Sequence, residues 1–345
     1  MRAIRNLVEI TAAEIWENFS PLTEQGIFLQ SAVQKKLYES LGQKTWLFES
    51  NANPQNPIRS LVTKVEARRG IFLYLPYGPI TADTTDLEGL RSFFESLREK
   101  AKEEKASFIR MSPYWLETEE TKKLLDQLGF RPAPIHMLAE TLWVLDLQKS
   151  EEELLMGMEK KHRNLVRRAE KEGVEIKTSV DPEAVERFID LHWQTVSRHQ
   201  FTPYPKAFFR EQVERYSKAE QVMVFEAYHQ GALLASAIIM YYGNAGAYHH
   251  GASSSLLEHR KIPASYLLQW EAIKEAQRRG CDLYNFWGIA PHGASKKHPF
   301  YGITHFKTGF GGRQVDLMPC QDIIINPKYY LNWSVEKFRK WKRGF

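Results

Sequence analysis

CDLYNFWGIAPHGASKKHPFYGITHFKTGFGG, Cys281 to Gly312, is the stretch from which the rest of the chain can be read. It follows an amphipathic segment in which Leu267, Leu268, Trp270, Ile273 and Ala276 recur at helical spacing and Gly280 supplies a stop. Leu283 to Trp287 then has the aromatic and apolar character of a buried strand. A loop rich in Gly, Pro, His and Lys leaves it, and Thr304 to Phe310 returns as a second short strand that ends in Gly311 and Gly312. Helix, buried strand, polar loop and strand are the parts of an α+β unit. Lys307, between Phe306 and Thr308, is a lone cation among aromatic rings. It reads either as a solvent-facing lysine on an edge strand or as a fixed charge that holds an anion or oxyanion.

Working outward, the same kind of unit occurs twice. In the first half, helices over Thr11–Phe19 and from Phe28–Ser31 to Leu41 precede strands at Thr45–Glu49, Ser60–Ala67 and Gly70–Leu75. Pro76-Tyr77-Gly78-Pro79 takes the chain out of the sheet. A charged helix over Asp86–Glu104, a strand at Ser107–Met111, a helix at Thr121–Leu128 and a strand at Thr141–Asp146 follow. The second half runs through one long basic helix, Glu151–Glu172, stopped by Gly173, and a strand at Val174–Thr178. Helices at Glu183–Ser197 and Pro205–Ser217 and strands at Val222–Tyr228, Ala232–Tyr242 and Ala245–Ala252 lead back to the opening stretch. The pattern predicts two related α+β units, with the basic aromatic tail Asn326–Phe345 packing back on the first.

Composition narrows the class. The 345 residues, 43% hydrophobic and 12% aromatic, suffice for two cores. A net charge of +5 from 47 basic and 42 acidic residues is a mild excess, so its location matters more than its size. Cys281 and Cys320 have no metal-ligand or CxxC spacing, which points to a reduced cytoplasmic protein without a structural zinc. The N-terminal segment has no secretory h-region, and no run approaches the roughly 18 apolar residues of a membrane span.

Six stretches in order carry a family resemblance: FLQS at Phe28, YLPYGP at Tyr74, KKHRNLVRRAEKEGVEI at Lys160, PASYLLQWEAI at Pro263, YNFWGI at Tyr284 and FKTGFGG at Phe306. Over nearly its whole length the chain resembles the Fem family (FemABX), the non-ribosomal aminoacyltransferases that build peptidoglycan cross-bridges. The resemblance implies tandem acetyltransferase-like (GNAT) domains with mixed sheets flanked by helices. Residues 1–146 with 313–345 would bind the precursor; residues 147–312 would hold aminoacyl-tRNA and the catalytic groups. The implied reaction passes an amino acid from aminoacyl-tRNA to an amino group on the stem peptide of lipid II or of UDP-MurNAc-pentapeptide. No cofactor or metal is implied, and the expected state is a monomer.

The resemblance also assigns residues. Lys307, preceded by Phe306, matches the lysine implicated in stabilising the charged transition state, and an ammonium held by packed aromatics suits the tetrahedral oxyanion of ester aminolysis. Tyr77 and Asp83 match a tyrosine and an aspartate of the precursor cleft, Asp83 one residue later than the family pattern. Arg198 matches an arginine on the precursor phosphates, and the alternative is a helix-end arginine capping carbonyls. Tyr248 matches a pocket tyrosine or is a core strand residue. Where the family carries a lysine after FLQS this chain has Tyr38, and Lys36 is the nearest replacement.

Read from spacing alone, Lys160, Arg163, Arg167 and Lys171 fall on one side of a helix, as a stripe for a tRNA backbone or as a solvated face. Lys337, Arg339, Lys340, Lys342 and Arg343 among Phe338, Trp341 and Phe345 suit anionic headgroups at the inner membrane face or the tRNA acceptor stem. No Ser/His/Asp or Cys/His set is evident, and His249, His250, His298 and His305 read as structural, so the ribose hydroxyl of the tRNA is the expected proton relay. Two alternatives stand beside this reading. An acyl-CoA N-acyltransferase would need a glycine-rich pyrophosphate turn, and Arg260-Lys261-Ile262-Pro263-Ala264 lacks its glycine and one amide. A non-catalytic binder of precursor or tRNA would not need Lys307.

Overall fold

The computed structural model describes residues 7–50, 52–199, 203–256, 259–296, 298 and 300–343. In chain order the elements are β1 (Leu7–Glu9), α1 (Ala13–Glu17), α2 (Ser20–Glu24), α3 (Ala32–Ser40), β2 (Thr45–Ser50), β3 (Ile58–Ala67), β4 (Gly70–Pro76), α4 (Leu87–Glu103), β5 (Phe108–Ser112), α5 (Glu119–Gln127) and β6 (Arg131–Pro132). They continue as β7 (Thr141–Asp146), α6 (Glu151–Gly157), α7 (Lys160–Lys171), β8 (Glu175–Ser179), α8 (Pro182–His199), α9 (Lys206–Ser217), β9 (Val222–His229), β10 (Ala232–Tyr242) and β11 (Ala245–Ser253). The rest are α10 (Ala264–Arg278), β12 (Leu283–Gly288), α11 (Tyr301–Thr308), β13 (Arg313–Asp316), β14 (Gln321–Ile324) and α12 (Tyr329–Arg343). The chain divides into two units: residues 1–142, 288–301 and 315–345, and residues 143–287 with 302–314.

The first unit is built on a sheet of order β1-β2-β3-β4-β5-β14-β6. β1 to β4 form an antiparallel meander, and α4 crosses over to the parallel strand β5. Asp86 caps α4 by accepting from the Gly89 amide, and Leu90, Phe93, Phe94 and Leu97 cover the sheet from its buried stripe. Two of the quoted stretches explain each other here. Gln30 of FLQS is fully buried, accepts from the Leu61 amide at 2.7 Å and donates to the Pro76 carbonyl at 2.6 Å, so FLQS is tied to the end of β4 where YLPYGP leaves the sheet.

The second sheet has the order β13-β7-β12-β11-β10-β9-β8. β8 to β11 are antiparallel, and α10 crosses over to the parallel strand β12. The two units thus repeat one plan, meander then helix then parallel strand, and the α+β class follows.

Four details differ from the sequence reading. The segment Thr304–Phe310 is not a strand: Tyr301–Thr308 is helix α11, in which the less exposed positions Tyr301, Thr304, Lys307 and Thr308 recur at helical spacing rather than alternating. The long helix over Glu151–Glu172 is two helices. Met158 is extended (φ −69°, ψ 154°) and its side chain is buried in the core, which breaks the chain after Gly157. The strand Thr141–Asp146, counted with the first unit, hydrogen-bonds in the second sheet. β14, unforeseen, enters the first sheet between β5 and β6, antiparallel to both.

The helix after β14 does pack on the first unit. Arg110, 1% exposed, binds Asp322 through Nε and Nη2 at 2.7 and 2.8 Å and Glu336 through Nη1 and Nη2 at 3.1 and 2.8 Å. Tyr329 adds a hydrogen bond from its hydroxyl to Asp322 at 3.2 Å. α12 is therefore bolted to the sheet by a buried charge network whose members satisfy one another. No helix among the described residues is long and apolar enough to cross a membrane.

Candidate active site

The second unit buries the amine of Lys307 from the FKTGFGG stretch. β11 and β12 pair in parallel over Ala245–Ala247 and Leu283–Asn285, and their ladder ends there among the described residues. The β11 to β10 register shifts at the next step: Ile239 pairs with Tyr248 and Ile238 with His250, so His249 is the extra residue of a bulge. Tyr248 lies close along its own strand, since a Cβ at Gly251 would fall 1.8 Å from its hydroxyl.

Lys307 on α11 is 5% exposed, and its ammonium nitrogen lies 5.8 Å from the centre of the Tyr248 ring. Burial pushes the lysine down to about 7 and the Tyr248 hydroxyl up to about 12. The amine is thus poised between its charged and neutral forms at neutrality, whereas the phenol stays protonated. Phe306 meets Tyr248, Tyr266 and Phe310 at centroid distances of 6.5, 5.2 and 5.3 Å, and Phe310 meets Phe286 at 5.6 Å. These rings fix the last turn of α11 and with it the lysine.

Sequence reasoning did not assign His162. It lies on the buried face of α7 with Val166 and Ala169, and its Nε2 donates to the Phe306 carbonyl at 3.1 Å. Burial holds its ring below the usual histidine range, so it is neutral with the proton on Nε2. Gly309 touches the same ring: a Cβ there would sit 2.0 Å from His162 Cε1. Gly312 has φ +103° and its Cβ position lies 2.2 Å from the Val144 carbonyl oxygen, which accounts for the final glycine of the motif. The signal for His162 was its helical spacing with Val166 and Ala169 inside an otherwise cationic run.

His249 and His250 of β11, read from the sequence as structural, lie in a second buried cluster. The His249 and His250 rings lie 3.9 Å apart, His249 Nδ1 is 3.3 Å from the buried Gln212 Nε2, and Phe209 packs 5.0 Å from both His192 and His250. Burial depresses His249 to about 3 and His250 well below its ordinary value, so both are neutral and neither acts as a general base at neutral pH.

The remaining assigned residues are placed as follows. Tyr77 is buried, adopts φ +55° and donates from its hydroxyl to the Ala139 carbonyl at 2.8 Å, with its ring edge-on to Tyr114. Asp83 is exposed and closes a local turn by accepting from the Thr85 amide and hydroxyl at 2.8 and 2.6 Å. Lys36 is exposed on α3, and Arg198 lies on α8. On α7, Lys160, Arg167 and Lys171 are exposed opposite the buried face. Arg163 is different: its Nη1 donates to the Met156 carbonyl at 2.8 Å and to the Met158 carbonyl, so it secures the break between α6 and α7. The structure therefore brings together Lys307, Phe306 and Tyr248 in one site and Lys160, Arg167 and Lys171 on one helix face.

At α10 the helix starts directly after Pro263, which supplies no amide, and the preceding turn His259–Lys261 is fixed by Arg168 donating to the Lys261 carbonyl at 2.9 Å. No glycine-rich cradle is present at this helix start.

Residues 10–127 match the FemAB family model, and residues 157–307 match the acetyltransferase (GNAT) domain model. The lipid II:glycine glycyltransferase of Staphylococcus aureus is 22% identical in an alignment covering 80% of this chain and 82% of that protein. The crystal structure of FemX superposes with a TM-score of 0.81 at 19% identity, covering 96% of this chain and 99% of that one. A tandem GNAT protein from the clavulanic acid biosynthesis pathway superposes with a TM-score of 0.53 at 14% identity, covering 93% and 98%. The fold is accordingly a tandem pair of GNAT-like domains.

Proposed function

From the premise that this chain belongs to the Fem family and is an acyltransferase, we propose that it moves an amino acid from aminoacyl-tRNA to an amino group on the stem peptide of a peptidoglycan precursor. The observation that carries the reading is the buried Lys307 amine over the Tyr248 ring, beside the point where β11 and β12 part.

Aminolysis of the tRNA ester places negative charge on the carbonyl oxygen as the acceptor nitrogen bonds to the carbonyl carbon. Collapse then breaks the bond to the ribose oxygen, which takes a proton. An ammonium in a site of low polarity stabilises that oxygen by about 3 kcal/mol, the order seen for single oxyanion donors. Because the lysine is poised near 7, an arriving negative charge favours its protonated form. His249 and His250 are too weakly basic to take the nucleophile's proton, so we assign the relay to the ribose hydroxyl adjacent to the ester, with the neutral Lys307 amine as the competing acceptor. Lys160, Arg167 and Lys171 offer an exposed basic face to the RNA backbone.

The start of α10 weighs against acyl-CoA as donor, since Pro263 removes an amide where the pyrophosphate would need one. The test is a transfer assay that offers a mixture of charged tRNAs with lipid II or UDP-MurNAc-pentapeptide, read by product mass. A precursor heavier by one aminoacyl residue, dependent on charged tRNA, is the expected product. Transfer from acyl-CoA without tRNA would replace this reading.

A further inference from the structure

α12 exposes the wrong face for a helix that only completes a core. Its inner side is fully engaged: Tyr329, Asn332 and Glu336 are buried, Glu336 on Arg110 and Asn332 accepting from Arg69 Nε at 3.2 Å. On the opposite side Tyr330, Leu331, Phe338 and Trp341 are 51, 61, 60 and 78% exposed. Tyr330, Ser334, Phe338 and Trp341 follow at intervals of four, four and three residues, so the apolar groups form one stripe along the outside. The Phe338 and Trp341 rings lie 5.8 Å apart.

The exposed charges on α12 itself have one sign. Lys337, Arg339, Lys340 and Lys342 are exposed, and the only acid of the helix, Glu336, is consumed by Arg110. An outward apolar stripe with aromatic rings, flanked by lysines and arginines on a rigidly anchored helix, has the chemistry of a surface that lies in the headgroup layer of a membrane.

We propose that the outer face of α12 docks on an anionic lipid bilayer, with Phe338, Trp341 and Leu331 entering the interface and the flanking cations on lipid phosphates. A nucleic-acid backbone would be served by the cations alone and would leave Leu331 and Phe338 in water, so the apolar stripe favours lipid. The proposal stands independently of which acceptor the active site uses.

The test is co-sedimentation of the full chain with vesicles of phosphatidylglycerol and phosphatidylcholine in equal amounts, against pure phosphatidylcholine vesicles. Wild type is expected to sediment with the anionic vesicles. Phe338→Ser/Trp341→Ser and Lys337→Glu/Lys342→Glu, all at exposed positions, are each expected to lower the partition roughly tenfold or more. The thermal midpoint of both variants should match that of wild type. Wild type remaining in the supernatant, or binding that neither variant weakens, overturns the proposal. So does a loss of binding to bulk tRNA in both variants with vesicle binding unchanged, which would assign the face to RNA.

Discussion

Lys307 is a residue whose ionisation is set by where the fold puts it. Buried beside the Tyr248 ring, its amine falls from the ordinary 10.5 to about 7. Between these values the unfolded chain holds a proton that the folded chain does not, so folding stability rises with pH from about 7 to 10.5 and is lowest below 7. Lys307→Met should remove this slope and make the variant the more stable protein at pH 6, an effect read by urea unfolding at pH 6 and pH 9. The same substitution should lower turnover by roughly 100-fold or more while precursor affinity is kept. If the ammonium is the working form, kcat falls as pH rises through about 7; a limb that rises there would instead make the neutral amine the proton acceptor. Phe306 and Lys307 could be named from their motif, but the depression of the amine could not, because it comes from burial in the fold, beside the Tyr248 ring that β11 supplies from far off in sequence. Tyr77 and Asp83 were equally visible as letters, yet a buried hydroxyl satisfied by Ala139 and a carboxylate closing its own turn are properties only coordinates reveal.

At the scale of elements, α7 acts on the site through its inner face and meets solvent through its outer one. Gly309→Ala would force the His162 ring away from α11 and should destabilise the fold by about 1–3 kcal/mol, measured by denaturant midpoint, with turnover falling alongside. Lys160→Glu/Arg167→Glu/Lys171→Glu should leave stability near wild type but weaken use of charged tRNA, with a shallower salt dependence of KM. Arg163 does not belong in that set, since removing it frees the Met156 and Met158 carbonyls at the helix break. The periodicity of Leu267–Ala276 and the apolar run Leu283–Trp287 made α10 and β12 legible, as one pattern persisted over the whole element. α11 was misread because eight residues with few apolar positions fit periods of two and of 3.6 almost equally. β14 stayed hidden for a different reason: a strand of four residues with Asp322 at its centre reads as loop until Arg110 supplies the partner that makes a buried carboxylate tolerable.

For the molecule as a whole, the Arg110 network is the fastening of α12. Arg110→Met leaves Asp322 and Glu336 as buried carboxylates without their cation and should cost about 3–5 kcal/mol, with hydrogen exchange at Tyr329–Arg343 accelerated most. The repeat of one α+β plan in two units could be read from the order of periodic segments, whereas the crossing of the chain back into its first sheet could not. That crossing constrains the birth of the protein. A ribosome delivers β5 and β6 about 200 residues before β14, the strand that separates them, so the nascent first sheet waits with an unfilled slot between β5 and its edge strand β6 while the second sheet can close. Translation order and assembly order are therefore reversed: the half made first is finished last, and a permuted gene that encodes residues 315–343 ahead of residue 7 should shorten the interval in which that half needs a chaperone.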